Sequence, residues 1–197
     1  MRANIKNTGK IFVICGPSGS GKTTLLSSLI KDKKIGKLLA KSCSVTTRPR
    51  RSGETQGKDY IFAGKDKFLK LVKAKKILEW TRYLGYYYGT PRDPLESRLK
   101  RGLSVGLCLD FKGARILKKY YPKNTVTVFV LPPSLSILEH RIRNRCRKTN
   151  EKEIVQRIKL AREELKSASR FDYCVLNKNL DVAAKELKEI FLQETGH

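Results

Sequence analysis

The clearest structural signal in the sequence is a glycine-rich stretch near its beginning, Gly16-Pro17-Ser18-Gly19-Ser20-Gly21-Lys22-Thr23. The stretch matches G-x-x-x-x-G-K-[ST], the pattern of a phosphate-binding loop. An apolar run of strand length, residues 11–15, precedes it, and apolar residues at helical spacing follow it from Thr24 to Ile30. Strand, glycine loop and helix in this order are the setting that the motif requires. We therefore predict that the loop binds a nucleoside triphosphate.

The residue types in the loop suit the phosphates of a nucleotide. Glycines allow positive φ angles and keep side chains away, so that successive backbone N–H groups can point at phosphate oxygens. The helix that begins after Gly21 adds the positive end of its dipole. We expect Lys22 to reach the β- and γ-phosphates and the Thr23 hydroxyl to ligate Mg²⁺.

The composition indicates a globular protein with a strong excess of positive charge. The 197 residues are enough for one domain with a substantial core. Forty-three lysines and arginines against 18 aspartates and glutamates leave a net charge of +25, which favours anionic partners such as nucleotides. Many lysines are scattered through residues 65–76, as on a solvated face, and the combined basic and aromatic pattern of a nucleic-acid-binding surface is not visible. We expect no nucleic-acid partner.

Cysteine usage and apolar patterning bear on where the protein resides. The five cysteines show no C-x-x-C pairing, and three lie in apolar runs, as expected of reduced thiols in a cytosolic protein rather than of a disulfide or zinc framework. No signal peptide is visible at the start, and no apolar stretch reaches the length of about 18 residues that a membrane span needs. We expect a soluble, cytoplasmic protein without a membrane partner.

Beyond the loop, apolar strand-like runs alternate with helical patterns. Strands are predicted at 11–15, 104–109, 126–131 and 173–176, and helices at 113–120, 135–143, 154–165 and 180–192, with Ser134 capping the second of these helices. Such alternation predicts an α/β fold with a parallel sheet covered by helices on both faces.

The range 43–94 has a different character and is interpreted as an inserted lobe. It is polar and rich in tyrosine, with short strand candidates at 59–62 and 77–80 around a basic helix at 66–75, and Pro91 and Pro94 mark its end. A mixed α+β lobe accounts for this pattern better than a further strand–helix–strand unit.

The inserted lobe carries residues suited to a second, anionic substrate. Three arginines lie in the turn-rich segment 46–54, and Tyr60 and Tyr88 follow further along the chain. Arginine forks and tyrosine hydroxyls can bind a phosphate dianion. Glu79, at the end of an apolar strand, is a carboxylate that could accept hydrogen bonds from a base N–H and an exocyclic amine together. Each feature alone is compatible with a structural role, but their combination beside a phosphate loop indicates a second substrate.

With these motifs in place, the sequence resembles guanylate kinase. The resemblance extends from Ile11 to about Phe191 and covers nearly the whole chain. It rests on the loop Gly16–Thr23, Ser44–Glu54, Gly57-Lys58-Asp59-Tyr60, Leu78-Glu79-Trp80, Tyr87-Tyr88-Gly89-Thr90, Leu109-Asp110 with Gly113-Ala114, Pro132-Pro133-Ser134, Phe171-Asp172-Tyr173, and Asn177 with Leu180-Asp181. So many matches in order are far more specific than the loop alone.

The resemblance implies transfer of the γ-phosphoryl group of ATP to GMP or dGMP, with Mg²⁺. It implies a single domain with three parts: a parallel-sheet core flanked by helices at about 8–42, 104–138 and 168–197, a GMP-binding lobe at about 43–98, and a short helical lid at about 139–160. A monomer and a homodimer both remain open.

The resemblance also implies roles for individual residues. The ATP site would comprise Gly16, Pro17, Ser18, Gly19, Ser20, Gly21, Lys22, Thr23 and Thr24, with Asn177 near the adenine and Thr23 on the metal. The GMP phosphate would be held by Arg48, Arg51, Tyr60 and Tyr88, and the guanine would be read by Ser44, Glu79 and Thr90, with Asp110 beside the acceptor. Catalysis would depend on Lys22, Asp110 and the arginines Arg141, Arg145 and Arg157.

Two departures from the family pattern are visible. Cys108 stands where the family usually has an acidic residue two positions before Asp110, so one carboxylate on the guanine side is missing. In the lid, Arg145-Cys146-Arg147-Lys148 replaces the usual arginine–glycine.

Two alternatives to a nucleotide kinase have to be weighed. Some proteins that resemble guanylate kinase phosphorylate a ribose bisphosphate, but Ser44, Glu79 and Thr90 would have no base to read there. Others are non-catalytic interaction modules, which typically have a degraded phosphate loop, whereas Lys22 and Thr23 are intact here.

Overall fold

A five-stranded parallel sheet forms the centre of the computed structural model, which describes residues 9–145 and 150–197. Its strands, in spatial order, are β2 (Leu39–Lys41), β7 (Ser104–Cys108), β1 (Ile11–Cys15), β8 (Thr125–Leu131) and β9 (Tyr173–Leu176). Every neighbouring pair runs parallel. The α/β fold with a parallel sheet is therefore confirmed.

Helices cover both faces of this sheet because its strands alternate large apolar residues toward each side. On one face, Phe12 and Ile14 pack with α1 (Lys22–Lys31) and α7 (Leu180–Thr195). On the other face, Ile11 and Val13 pack with α3 (Arg92–Lys100) and α4 (Phe111–Tyr120). Since β1 is buried on both sides, the loop that follows it begins from a rigid position.

Strand β2 and helix α3 were not predicted. Strand β2 has only three residues at the edge of the sheet, too few for a periodic signal. Pro91 and Pro94 were interpreted as the end of the lobe, yet Pro91 precedes α3 and Pro94 lies in its first turn. Proline is tolerated there because the first N–H groups of a helix have no partner within it.

A second sheet is built from the inserted range. Its strands, in spatial order, are β4 (Ile61–Phe62), β3 (Val45–Thr46), β6 (Tyr86–Pro91) and β5 (Ile77–Tyr83), and α2 (Lys65–Lys73) packs on it through Phe68. Leu84 and Gly85, both at positive φ, turn β5 back into β6. The predicted mixed composition is confirmed, although β3 and β6 were missed because glycine, proline and short length obscure their patterns.

Two further helices, α5 (Leu135–Arg145) and α6 (Glu151–Leu165), pack together through Leu138, Ile142, Ile154 and Ala161. The Ser134 hydroxyl accepts from the N–H of Ile137 at 3.2 Å, which confirms the predicted cap. Residues 146–149, including part of the cationic lid segment, lie outside the described residues. None of the described helices is long and apolar enough to cross a bilayer.

Candidate active site

A cavity of about 580 Å³ lies where the carboxyl ends of the parallel strands meet the second sheet. This is the edge at which open α/β sheets bind ligands. The predicted site residues that line it are Gly16, Ser18, Gly19, Gly21, Lys22, Thr23, Thr24, Ser44, Arg48, Arg51, Tyr60, Glu79, Tyr88, Asp110, Arg141, Arg157 and Asn177. Pro17, Ser20 and Thr90 are not part of the lining, and the Arg145 side chain lies outside the described part of the structure.

The phosphate loop has the backbone that the motif requires. Gly16, Gly19 and Gly21 have φ angles of 133°, 86° and 98°, a region that residues other than glycine rarely adopt. Helix α1 begins at Lys22, and Gly21 offers no side-chain acceptor to its first N–H groups. These N–H groups and the helix dipole favour an anion at this end of α1. The Lys22 ammonium donates to the carbonyls of Gly16 and Pro17 at 2.6 and 2.9 Å, so it lies over the loop.

Asn177 binds the backbone of the phosphate loop. Its buried amide nitrogen donates to the Ser20 carbonyl at 2.7 Å. A Cβ atom on Gly21 would lie 2.2 Å from the same nitrogen, so a larger residue there would have to displace the Asn177 amide from the loop. The Asn177 amide therefore binds the backbone of the phosphate loop, and a contact between Asn177 and adenine stays a prediction.

Arg48 is oriented by a carboxylate to which the sequence pattern had assigned no role. One Arg48 nitrogen donates to both Glu54 oxygens, at 2.7 and 2.9 Å, and Glu54 also accepts from the Arg51 N–H at 2.8 Å. Burial opposes ionisation of both groups, but their pairing outweighs it, so the pKa of Arg48 is raised and that of Glu54 is lowered. The pair keeps a permanently charged, 7% exposed guanidinium at the cavity wall.

The tyrosines predicted to act with Arg48 surround it. The Arg48 guanidinium carbon lies 5.4 Å from the centroid of the Tyr60 ring, and the Tyr60 and Tyr88 rings meet edge to face at 6.0 Å. These three side chains come from different places in the second sheet: Arg48 follows β3, Tyr60 directly precedes β4, and Tyr88 lies in β6. Cations and phenolic hydroxyls so arranged can bind a phosphate group.

Glu79 is a buried carboxylate with a defined neighbour. It is 3% exposed, and the Thr90 hydroxyl donates to it from the paired strand β6. Burial is the main cause that raises its pKa to about 7, and Asp110 adds to the rise while Thr90 opposes it. Gly113 approaches closely, since a Cβ atom there would lie 2.8 Å from a Glu79 oxygen. Thr90 thus contacts Glu79 instead of lining the cavity.

The corner between β7 and α4 contributes Asp110 and Cys108. The Asp110 carboxylate caps α4 by accepting from the Gly113 N–H at 2.8 Å. Cys108 lines the same cavity, and burial raises the pKa of its thiol to about 11. The position where an acidic residue is usual is therefore neutral at pH 7.

Helices α5 and α6 bring cations to the loop. Gly19 lies beneath α5, where a Cβ atom would approach Leu138 and Ile142 to 3.3 Å. Arg141 of α5 and Arg157 of α6 line the cavity. Arg157 is 8% exposed and donates to Glu153 at 2.6 and 3.1 Å, which holds its fork in place.

The cavity lining also includes residues to which the sequence pattern assigned no role, among them Tyr83 and Glu164. Tyr83 ends β5, and Glu164 lies near the end of α6. Burial is the main cause that raises the pKa of Glu164 to about 7, with Asp110 raising and Lys22 lowering it. The spacing of seven from Arg157 could have indicated that Glu164 shares its helix face.

The carboxylates of the cavity do not form a metal cage. Within residues 9–145 and 150–197, no group of three or more His, Cys, Asp or Glu side chains is placed to hold a metal ion. Thr23, in the first turn of α1, faces the cavity. This arrangement fits an ion such as Mg²⁺ that is bound largely by substrate phosphates, with few protein ligands.

Comparison with known proteins places this geometry in a family. The family model for guanylate kinase matches residues 8–194. A guanylate kinase of Rickettsia felis is 41% identical over 190 residues, which is 96% of this chain and 96% of that protein. A guanylate kinase of Carboxydothermus hydrogenoformans is 42% identical over 187 residues, 94% of this chain and 89% of the relative.

Solved structures agree with the sequence matches. The crystal structure of guanylate kinase from Anaplasma phagocytophilum matches with a TM-score of 0.78 and 30% identity, covering 98% of this chain and 89% of that one. Fold, loop and cavity therefore agree with nearly full-length sequence similarity, and the chain belongs to the guanylate kinase family.

Proposed function

We propose that this chain phosphorylates GMP, and also dGMP, with ATP as the donor. The observation that carries the proposal is the composition of one cavity. It joins an intact phosphate loop to the Arg48–Tyr60–Tyr88 cluster and to the buried carboxylate of Glu79. These are the parts needed to hold a triphosphate, a monophosphate and a base within reach of one another.

The donor side is formed by the loop and the start of α1. The backbone N–H groups of the loop and the Lys22 ammonium would bind the β- and γ-phosphates of ATP. To do so, Lys22 exchanges its bonds with the Gly16 and Pro17 carbonyls for phosphate oxygens. When bound, Mg²⁺ supplies charge neutralisation at these phosphates, and Thr23 would hold it together with the substrate oxygens.

The acceptor side is formed by the second sheet. Arg48, Arg51, Tyr60 and Tyr88 would hold the GMP phosphate. Glu54 orients Arg48 and supports the backbone of Arg51, so the fork is arranged before the substrate arrives. Such preorganisation lets binding energy align the acceptor phosphate with the donor.

Guanine recognition is assigned to Glu79 with Thr90 and Ser44. An ionised Glu79 would accept hydrogen bonds from the N1–H and the exocyclic amine of guanine, whereas adenine offers no N–H at the ring position. Thr90 holds one Glu79 oxygen in place from the neighbouring strand. The neutral Cys108 thiol leaves Glu79 as the main reader of the base edge.

Phosphoryl transfer itself needs positioning and charge neutralisation more than a covalent intermediate. Arg141 and Arg157 would bind the oxygens of the transferred group, with Arg145 as a further cation of the lid. Asp110, fixed by the Gly113 N–H, would lie beside the acceptor. Closure of the lid would exclude water, which otherwise competes for the phosphoryl group.

The wider organisation of the molecule is also proposed. We assign about 8–42, 104–138 and 168–197 to the core, about 43–98 to the GMP-binding lobe and about 139–160 to the lid. We propose that the enzyme is cytoplasmic and that its partners are nucleotides and not nucleic acid. A ribose bisphosphate acceptor would leave the Glu79–Thr90 pair without a partner, and a non-catalytic module has no need of the intact loop.

A steady-state assay of acceptors tests the proposal. ATP and Mg²⁺ would be offered with GMP, dGMP, AMP, CMP, UMP and ribose bisphosphate. We expect phosphorylation of GMP and dGMP, with kcat/KM for the other acceptors lower by about a hundredfold or more, since unpaired buried polar groups reject the wrong base. Preference for ribose bisphosphate, or no transfer to any acceptor, would contradict it.

A further inference from the structure

Two residues that line the active-site cavity each have a buried side-chain oxygen without a hydrogen-bond partner. These atoms are the Tyr83 hydroxyl and one Glu164 carboxylate oxygen, and the Ser20 hydroxyl is the third such side-chain atom in the described part of the chain. Ser20 belongs to the phosphate loop already discussed. Tyr83 and Glu164 belong to different parts of the molecule, the second sheet and helix α6.

Each of the two side chains is held by a regular element. Along β5, alternate residues Glu79, Thr81 and Tyr83 line the cavity, as the period of a strand requires, while Trp80 and Arg82 point away and are exposed. The position of the Tyr83 side chain therefore follows from strand β5 rather than from a mobile loop.

Glu164 is placed in the same way by its helix. Arg157, Ala161 and Glu164, at spacings of four and three, share one face of α6. Ala161 is buried against α5, and the other two line the cavity. Helix α6 thus presents the expected triphosphate cation Arg157 and the Glu164 carboxyl group together.

The two atoms complement each other. A tyrosine hydroxyl donates one hydrogen bond, and a carboxylate oxygen accepts. Buried polar groups without partners destabilise a folded protein and need an explanation, such as a conformation in which they are satisfied. A small approach of the second sheet toward α6, as nucleotide kinases need in order to exclude water, would supply it.

We propose that Tyr83 donates a hydrogen bond to Glu164 when both nucleotides are bound, joining the acceptor-binding sheet to the helix that carries Arg157. Both are positioning residues, since they act by aligning the acceptor side with the donor side. The inference rests on the proposed function, because the two substrates drive the approach.

The charges around Glu164 are compatible with this role. Lys22 comes from α1, Asp110 from the start of α4, Arg157 from α6 itself, and Tyr83 from β5, and all line the same cavity. Burial and Asp110 favour the protonated Glu164 carboxyl group, and Lys22 favours the ionised one. A hydrogen bond donated by Tyr83 would add to the effect of Lys22. Formation of the bond therefore shifts Glu164 toward its ionised form.

A double-mutant cycle tests the bond. The variants are Tyr83→Phe, which removes one hydroxyl, Glu164→Ala, and the two combined. Each single variant should lower kcat/KM for GMP by about tenfold or more, the range for hydrogen bonds to charged groups. The kcat/KM of the combined variant should be no lower than that of the less active single variant, because both changes remove the same bond. Glu164→Gln should restore part of the activity, since its amide oxygen can accept from Tyr83.

Neighbouring residues provide matched controls. Tyr86→Phe changes an exposed tyrosine on the adjacent strand, and Glu163→Gln changes the exposed residue next to Glu164 on α6. Both should retain the kinetics of the unaltered chain. Circular dichroism of all variants separates loss of the bond from loss of folding.

Thermal unfolding distinguishes a bond of the closed form from a structural bond. Without nucleotides, Tyr83→Phe should be at least as stable as the unaltered chain, and the two changes should be additive. Binding of ADP and GMP together should raise the unfolding temperature less in each single variant than in the unaltered chain. The combined variant should lose no more of this stabilisation than either single variant.

Several outcomes would overturn the inference. They are additive losses in kcat/KM, unaltered kinetics in Tyr83→Phe, or coupling between the two changes in the nucleotide-free chain. If the unaltered chain did not phosphorylate GMP, the proposed function would fall as well. An active chain with additive variants would contradict the hydrogen bond alone.

Discussion

At the residue scale, the environment of Glu79 links the fold to the choice of acceptor. Strand β5 places its carboxylate in the interior, where Thr90 holds one oxygen and Asp110 adds a second negative charge nearby. A carboxylate that is desolvated before the base arrives gains much from two guanine donors, because it gives up little hydration on binding.

Replacement of this carboxylate should separate the two substrates. We expect Glu79→Gln to weaken use of GMP by about 2–4 kcal/mol in kcat/KM, the scale of charge-assisted hydrogen bonds to two donors. The KM for ATP should change by less than about twofold, since the donor side is built from other residues. Steady-state kinetics with each substrate varied in turn would measure both effects, and equal losses for ATP and GMP would refute the role of Glu79.

The pKa of Glu79 predicts how GMP affinity depends on pH. Because the pKa is raised to about 7, the group is largely protonated at pH 6 and largely ionised at pH 8. The ionised form binds guanine, so affinity should rise by about tenfold as the pH increases across this interval. Calorimetric titration with GMP measures the change.

Glu79→Gln serves as the control for that titration. The GMP phosphate also titrates, with a second pKa of about 6, but it does so in both proteins. The difference in pH dependence between the two proteins therefore reports on Glu79. An identical pH dependence in the variant would show that another group is responsible.

Residue roles differ in how far the sequence could predict them. Lys22 and Thr23 belong to a contiguous motif whose chemistry is readable from the order of residues. The residue types of Arg48 and Glu79 indicated a second substrate, and the resemblance to a family was needed to assign Arg48 to the GMP phosphate and Glu79 to guanine. The spacing from Arg157 could have placed Glu164 on the same helix face, but it could not show that Tyr83 lies at the same cavity, because the two residues are 81 positions apart in the chain (83 to 164).

At the element scale, continuous apolar runs were predictable and short or interrupted ones were not. Strands β7 and β8 are buried on both faces, and their runs of apolar residues are visible in the sequence. Strand β6 contains Gly89 and ends at Pro91, both unfavourable in strands, and it is held by pairing with β3 and β5. Tertiary pairing there outweighs local propensity.

The junction between the phosphate loop and α1 provides a test at this scale. In Gly21→Ala, the new Cβ would meet the Asn177 amide at 2.2 Å in a backbone with φ of 98°. We expect the loop to move and ATP affinity to fall by about a hundredfold or more, because positive φ and the clash both oppose the native loop. Fluorescence titration with a labelled ATP analogue would measure the loss.

Gly57→Ala is the matched control for that variant. Gly57 also has a positive φ, of 76°, but a Cβ atom there meets nothing within 4 Å. It should lose about 1–2 kcal/mol of stability and keep its affinity for ATP. If Gly21→Ala behaved like Gly57→Ala, the contact with Asn177 would not be what maintains the loop.

At the scale of the whole molecule, a small part of the positive charge that makes up the net +25 lies in the cavity. Lys22, Arg48, Arg51, Arg141 and Arg157 come from separate elements and line one cavity. Their convergence could be anticipated from a family resemblance but not from composition, because a charge count carries no information on position.

The central claim is that one cavity passes a phosphoryl group from ATP to GMP, and transfer of an isotopic label tests it most directly. With ATP labelled at the γ-phosphate, Mg²⁺ and GMP, we predict that the label appears in GDP in amounts equal to the ADP formed, and that Lys22→Ala abolishes this transfer while GMP still binds. Label released as inorganic phosphate, or label in GDP from the Lys22→Ala variant at the rate of the unaltered chain, would contradict the account.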